Sequence, residues 1–295
     1  MAADGGRRPV VLGVDATAPE SAAVVWAADE AGMRGLPLRL VHAVEPMEAN
    51  LRGFDESHRH RRLRERGDEA LAKALALVRD RRPEVDAAAV LADDHPAPAL
   101  CEESRHAELV VLGSRRMSRL EELLSSYSVA VPLAAQSDCP VVVVRESGHG
   151  TTDRPFVVAG FDASPESRAA LDVAADLAAR RGARLRVVQV WNPPLLHSGD
   201  RERHLAELDR VLAEALAARA ADHPAQTLSH QTVPGHPVEE LAKASEQALA
   251  VVVGRRGHGG FTGMRLGSVP HGLLHHAHCP VVVVPPPEGT GEQPV

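Results

Sequence analysis

Six glycines (Gly254, Gly257, Gly259, Gly260, Gly263 and Gly267) fall in one short stretch that ends at Ser268. An apolar run from Leu249 to Val253 precedes them, and a helical pattern from Val269 to Ala277 follows. A strand, a glycine loop and a helix start in that order turn bare backbone N–H groups and the positive end of a helix dipole toward an anion. The stretch is not a Walker A loop, since no Gly-Lys-Ser/Thr occurs in the chain. Nor is it a dinucleotide fingerprint, because Gly257-His258-Gly259 is followed by Thr262 where a third glycine belongs. The residues alone point to an anion, with phosphate the foremost candidate. A plain surface loop is the competing reading, and the regular elements on either side argue against it. Arg255, Arg256 and Arg265 could add charge-assisted bonds, although exposed arginines are more often simply solvated.

Two other groups of residues invite chemistry and carry less. His271, His275, His276 and His278 crowd the last helical stretch, and the first two have the i, i+4 spacing of zinc ligands. No HExxH and no adjacent carboxylate accompany them, so packed or solvated histidines are the better reading and no metal site is expected. The cysteines are Cys101, Cys139 and Cys279, with no CxxC pair. That spacing suggests reduced thiols, with Cys139 and Cys279 serving as small apolar residues ahead of buried strands.

The elements that must position the glycines emerge from a repeat. Val11-Leu12-Gly13-Val14-Asp15 recurs as Val158-Ala159-Gly160-Phe161-Asp162, an offset of 147 (162 − 15). Cys139-Pro140 and a run of four valines recur as Cys279-Pro280 and another four. Each copy reads β-α-β-α-β-α-β-α-β. In the second, strands are predicted near 155–161, 184–191, 226–233, 249–253 and 279–285, with helices near 165–181, 199–222, 236–247 and 268–277. In the first, strands are predicted near 9–14, 38–44, 85–91, 108–112 and 139–145. Unbroken Val/Leu runs indicate strands covered on both faces, and helical crossovers between them imply a parallel sheet. Thr17-x-x-Glu20 reads as a capping box, Ser164-Pro165 as an N-cap followed by Pro, and Gly35 and Gly182 as helix stops. The domains expected are 1–146 and 154–286, followed by a disordered tail at 287–295.

With 295 residues, two ordinary cores fit; aromatics are 2%, so Val, Leu and Ala must build them. A net charge of −7 and so few stacking side chains argue against nucleic acid or an anionic membrane as partner. Neither a leader nor a membrane helix is expected, and the location expected is cytoplasmic.

The spacing Gly254-x₂-Gly257-x₉-Gly267-Ser268, with Gly-x-Asp after the first strand of each copy and the Cys-Pro-Val-Val-Val-Val endings, resembles the universal stress protein family over nearly the whole chain. The resemblance implies two tandem five-stranded parallel α/β sandwich domains of the adenine-nucleotide-binding, Rossmann-like kind. It implies ATP, alone or with magnesium, as ligand. Asp162 would meet the ribose and the backbone of Val190 the adenine. Gly254, Gly257, Gly267, Ser268 and Val269 would surround ribose and phosphates. The first copy departs from this pattern. Arg116 stands at the second glycine, Glu121 and Glu122 enter the loop, and Tyr127 replaces the third glycine one residue late. The first copy is therefore expected to bind ATP weakly or not at all. The function expected is a nucleotide-dependent regulator with unidentified protein partners and no catalytic residues. The alternative is a slow ATP hydrolase or nucleotidyl transferase of related fold. The Val-rich last strands suggest domain pairing within the chain and leave a homodimer open.

Overall fold

A computed structural model describes residues 7–46, 54–114, 127–145, 154–192, 201–222, 227–258 and 265–287. The chain divides into two compact units, Met1–Glu146 and Ser147–Val295. The linker expected around 146–153, the first-copy loop residues Arg116, Glu121 and Glu122, and the tail from 288 onward lie outside the described residues.

In the first unit the order is β1 (Val10–Gly13), α1 (Ala22–Arg34), β2 (Leu38–Val44), α2 (Phe54–Arg81), β3 (Ala87–Asp93), α3 (Pro96–Ser104), β4 (Leu109–Ser114), α4 (Tyr127–Gln136) and β5 (Val141–Arg145). Its strands lie in the order β3-β2-β1-β4-β5, and every pair is parallel. The second unit repeats the plan with β6 (Phe156–Phe161), α5 (Pro165–Arg180), β7 (Arg184–Trp191), α6 (Arg201–Asp222), β8 (Leu228–Pro234), α7 (Pro237–Ala244), β9 (Ala250–Gly254), α8 (Ser268–His276) and β10 (Val281–Val284). Its order, β8-β7-β6-β9-β10, is again parallel throughout. The α/β tandem expected from the sequence is the observed fold.

Burial explains the sequence runs. Every residue of β6, β9 and β10 is buried, whereas the outer strand β8 is partly or fully exposed along its length. Two covered faces leave no polar side of a strand to alternate with, hence the unbroken valines. Cys139 and Cys279 are 4% and 1% exposed and pack as small apolar residues. Helix ends follow backbone freedom. Gly35 caps α1 at φ 61, and Gly182 follows α5 at φ 58, conformations that cost an L-residue roughly 1–2 kcal/mol.

One expectation fails. Thr17 does not cap α1, which begins at Ala22 with Ser21 as N-cap. The Asp15 carboxylate takes both the Thr17 amide and its hydroxyl, each at 2.8 Å, so that hydroxyl donates into an Asx-type turn instead of receiving a helix amide. The matching cap in the second unit holds: the Ser164 hydroxyl accepts from the Ser167 amide at 3.1 Å, and Pro165 opens α5.

In both units successive connections leave the first strand in opposite directions, toward β2 or β7 on one side and toward β4 or β9 on the other. A crevice opens beyond the carboxyl ends of strands at such a reversal, which is where open α/β sheets hold ligands.

Candidate functional site

In the second unit this reversal lies between β6 and β9. Asp162 directly follows β6, and Gly254 ends β9. The chain then turns at Ala163, whose φ of 66 is unusual for a residue with a side chain. The turn allows Asp162 Oδ1 to accept from both the amide (3.0 Å) and the hydroxyl (2.5 Å) of Ser164. Ser164 thus serves two groups at once, its hydroxyl donating to Asp162 while accepting from the Ser167 amide in the first turn of α5.

The other carboxylate oxygen reaches across the crevice. Asp162 Oδ2 accepts from the backbone amide of His258 at 3.0 Å. Gly257 lies directly beneath this bond: a β-carbon there would stand 2.2 Å from Oδ2, so no side chain is compatible with it. Gly254 is also confined, since its β-carbon would lie 2.8 Å from Glu166 Cβ and 2.9 Å from the Glu166 carbonyl carbon. The far end of the loop returns to its start, with the Gly267 amide donating to the Arg255 carbonyl at 2.9 Å. That bond sets the first residues of α8, Ser268 and Val269, beside the end of β9. Gly259, Gly260 and Gly263 lie outside the described residues.

Two opposed effects act on the Asp162 carboxyl. Burial raises its pKa, while hydrogen bonds from the Ser164 hydroxyl, the Ser164 amide and the His258 amide lower it, and the bonds prevail. The group is therefore held below the usual carboxylate range. Its side chain is still 44% exposed, and the His258 ring stands with Nδ1 3.9 Å from Oδ1, an ion pair only when the imidazole is protonated.

The N-terminus of α8 follows directly on the glycine loop and, like those of α1 and α3, lacks both a side-chain cap and a first-turn acid. Gly267 is its N-cap, no side chain caps it, and its first turn holds no acidic residue. By contrast α5 has the Ser164 cap and Glu166, and α7 has Glu239 and Glu240 in its first turn. The opening amides of α8, Ser268 and Val269, have no carbonyl one turn earlier to bond. Among the described residues no side chain caps the positive end of this helix.

The expected site residues fall into two groups. Asp162, Gly254, Gly257 and Gly267 belong to one connected arrangement, and Ser268 and Val269 continue from it. Val190 sits on β7, level with Asp162 because Phe161 pairs with Gln189, but one strand away and in register with Val233 of β8. The sequence reading missed Ser164 as a partner of Asp162, although Asp-x-Ser after a strand is an Asx-turn signature that could have revealed it. It also missed the His258 amide. A backbone donor 96 positions away leaves no mark on residue type. Among the last-helix histidines, His271 and His275 pack ring against ring with centroids 5.0 Å apart.

Comparison with known proteins places this arrangement in context. The model of the universal stress protein family matches residues 6–145 and again residues 156–285. A universal stress protein of Mycobacterium tuberculosis is 36% identical over 289 residues, covering 93% of this chain and 96% of its own. One from Mycolicibacterium smegmatis is 32% identical over 296 residues, covering 94% and 97%. Among solved structures, a universal stress protein from Archaeoglobus fulgidus has a similar fold, with a TM-score of 0.68 at 18% identity over 95% of this chain and 98% of that one.

Proposed function

The chain belongs to the universal stress protein family, with both halves matched, and from that premise we propose an ATP-binding regulatory protein whose nucleotide site is the β6–β9 crevice of the second unit. The observation that carries this reading is the bare N-terminus of α8 beside a loop with no room for side chains at Gly254 and Gly257. Polyphosphate suits those features: glycines allow close approach of the backbone, and the amides of Ser268 and Val269 at the helix start supply donors with a favourable dipole behind them. In this reading Gly254, Gly257, Gly267, Ser268 and Val269 surround ribose and phosphates, Asp162 takes ribose hydroxyls, and the Val190 backbone meets the adenine. Magnesium would enter only as the counter-ion of the phosphates.

Regulation rather than turnover is favoured by the state of Asp162. A general base works best with a pKa near the operating pH, and this carboxyl is held low by hydrogen bonds from Ser164, His258 and Ser167, against the raising effect of burial. Binding would act by linkage: ATP at about a hundredfold its Kd adds roughly 2.7 kcal/mol to the bound conformation. That preference, expressed at the loop, is what a protein partner would read. The first unit, with Arg116 and two glutamates in its loop, is proposed to hold ATP weakly or not at all.

Titration calorimetry of the full chain and of Gly257→Val tests the reading. ATP should bind the parent chain and bind the variant at least tenfold more weakly. Equal affinity would refute the site. Incubation with ATP should return the nucleotide intact, and hydrolysis abolished by Asp162→Ala would favour the enzymatic alternative instead.

A further inference from the structure

Helix α8 carries a glycine in its interior, one helical turn beyond Ser268. A β-carbon on Gly272 would stand 2.6 Å from Val238 Cγ2 and 2.7 Å from Cγ1, in the first turn of α7. No rotation of the valine clears that space. Its two methyls fill two of three staggered positions, so every rotamer leaves at least one at the contact. Glycine inside a helix costs about 1 kcal/mol relative to alanine. The close seat of α8 on α7 accounts for its presence here.

Hydrogen bonds hold both ends of the same helix. At its start the Gly267 amide donates to the Arg255 carbonyl at 2.9 Å. Just past its end the His278 amide donates to the Ser245 hydroxyl at 2.9 Å, and Ser245 is fully buried at the close of α7. That hydroxyl donates in turn to the Ala242 carbonyl at 2.6 Å. Helix α7 is itself tied to the sheet, since the Gly235 amide ahead of it donates to the Trp191 carbonyl at 3.0 Å. Trp191 follows Val190 on β7. Helix α7 therefore runs from the strand end beside Val190 to the seat of α8.

The first unit solves the same packing with its residue sizes exchanged. Pro96 matches Pro237 and Ser128 matches Ser268 in the repeat, so Val238 corresponds to Ala97 and Gly272 to Pro132. There the smaller residue is on α3 and the larger on α4, whereas α7 has the larger and α8 the smaller. One small member in each pair is what closely seated helices require, because overfilling forces them apart.

We propose that Val238 and Gly272 are a positioning pair for the second unit's anion site, setting where α8 presents the Ser268 and Val269 amides to the nucleotide phosphates. The inference rests on the ATP reading of the β6–β9 crevice. Neither residue is assigned a contact with the nucleotide; both act through the helix. Carbon atoms settle at about 3.5–4.0 Å, so Gly272→Ala must displace α8 from α7 by roughly 1 Å. Groups of a binding site work within about 0.5 Å of their productive positions. A short helix moved by twice that distance carries its opening amides out of place.

Calorimetric titration of ATP into the full chain, the two single variants and their combination tests the pair. Gly272→Ala should weaken ATP at least tenfold. Val238→Ala, which removes the surface on which α8 rests, should weaken it at least threefold. Gly272→Ala combined with Val238→Ala should return to within threefold of the parent, because the lost methyls make room for the new one. Leu212→Ala, at a fully buried position on α6, separates positioning from stability: it should lower the urea midpoint and leave ATP affinity unchanged. Three results would each overturn the inference: parent-like affinity in a folded Gly272→Ala, no recovery in the double variant, or a Leu212→Ala that weakens ATP as much as Gly272→Ala does. If Gly272→Ala fails to fold, Val238→Ala decides the matter, and parent-like affinity there overturns the pair. A parent chain that binds no ATP overturns the ATP reading and the pair together. A parent that binds ATP, with affinity lost in Gly257→Val but kept in Gly272→Ala, overturns the pair alone.

Discussion

At Gly257 the space that a methyl group needs is already taken by Asp162 Oδ2, at 2.2 Å from any β-carbon. Gly257→Ala must therefore break the bond from the His258 amide or move the loop. Its cost should shrink when Asp162 is also removed, and a double-mutant cycle with Asp162→Ala, read by ATP affinity and by urea unfolding, should show coupling of at least ~0.5 kcal/mol. Additive effects would mean that the two residues do not share the space. The lowered pKa of Asp162 has its own consequence. A carboxyl with a folded-state pKa below its unfolded value contributes stability that is complete above the unfolded value, near ~4, and lost as pH falls through the folded one. The stability gap between the parent and Asp162→Asn should thus be flat from pH 8 to about 5 and close below ~4; a gap unchanged at lower pH would contradict the assignment. The thiols follow burial in the same way. Burial pushes Cys139 up to about 11, and Cys279 is also buried, whereas Cys101 is partly exposed. A thiol reagent at pH 8 should label Cys101 first and the other two only on unfolding. Equal rates would show that the cores open readily.

At the scale of elements, the duplicated plan supplies an internal control. Ser164 caps α5 with its hydroxyl, while Ser21 stands at the same kind of position on α1 and makes no such bond. Ser164→Ala should cost about 1 kcal/mol in urea unfolding, and Ser21→Ala clearly less. The reverse order would show that the helix starts are misassigned. These two positions also mark the limit of what residue types can reveal. Strands β6, β9 and β10 were legible because burial on both faces writes itself as unbroken Val and Ala runs. Gly35 and Gly182 were legible because left-handed backbone selects glycine. The start of α1 was not, since Thr17-x-x-Glu20 has the form of a capping box and only the local competition with Asp15 decides against it. Within the site, Asp162 and the glycines stood out by type and spacing. Ser164 could be read as a cap but not as a carboxylate partner, and the His258 amide could not be read at all.

At the scale of the whole molecule, one plan used twice has diverged in what each copy offers a ligand. The second unit offers backbone donors: a helix start with no side-chain cap that follows a loop with no room for side chains at Gly254 and Gly257. The first keeps Asp15 and Gly113 but has Arg116 and Tyr127 where the second unit has glycines. Divergence of this kind makes stoichiometry the most informative quantity. The decisive measurement is calorimetric titration of the full chain with ATP, with Gly257→Val as its control. The account predicts one ATP per chain in the parent, and affinity reduced at least tenfold in the variant. Two equivalent ATP molecules per parent chain, or a variant that binds as tightly as the parent, would contradict it.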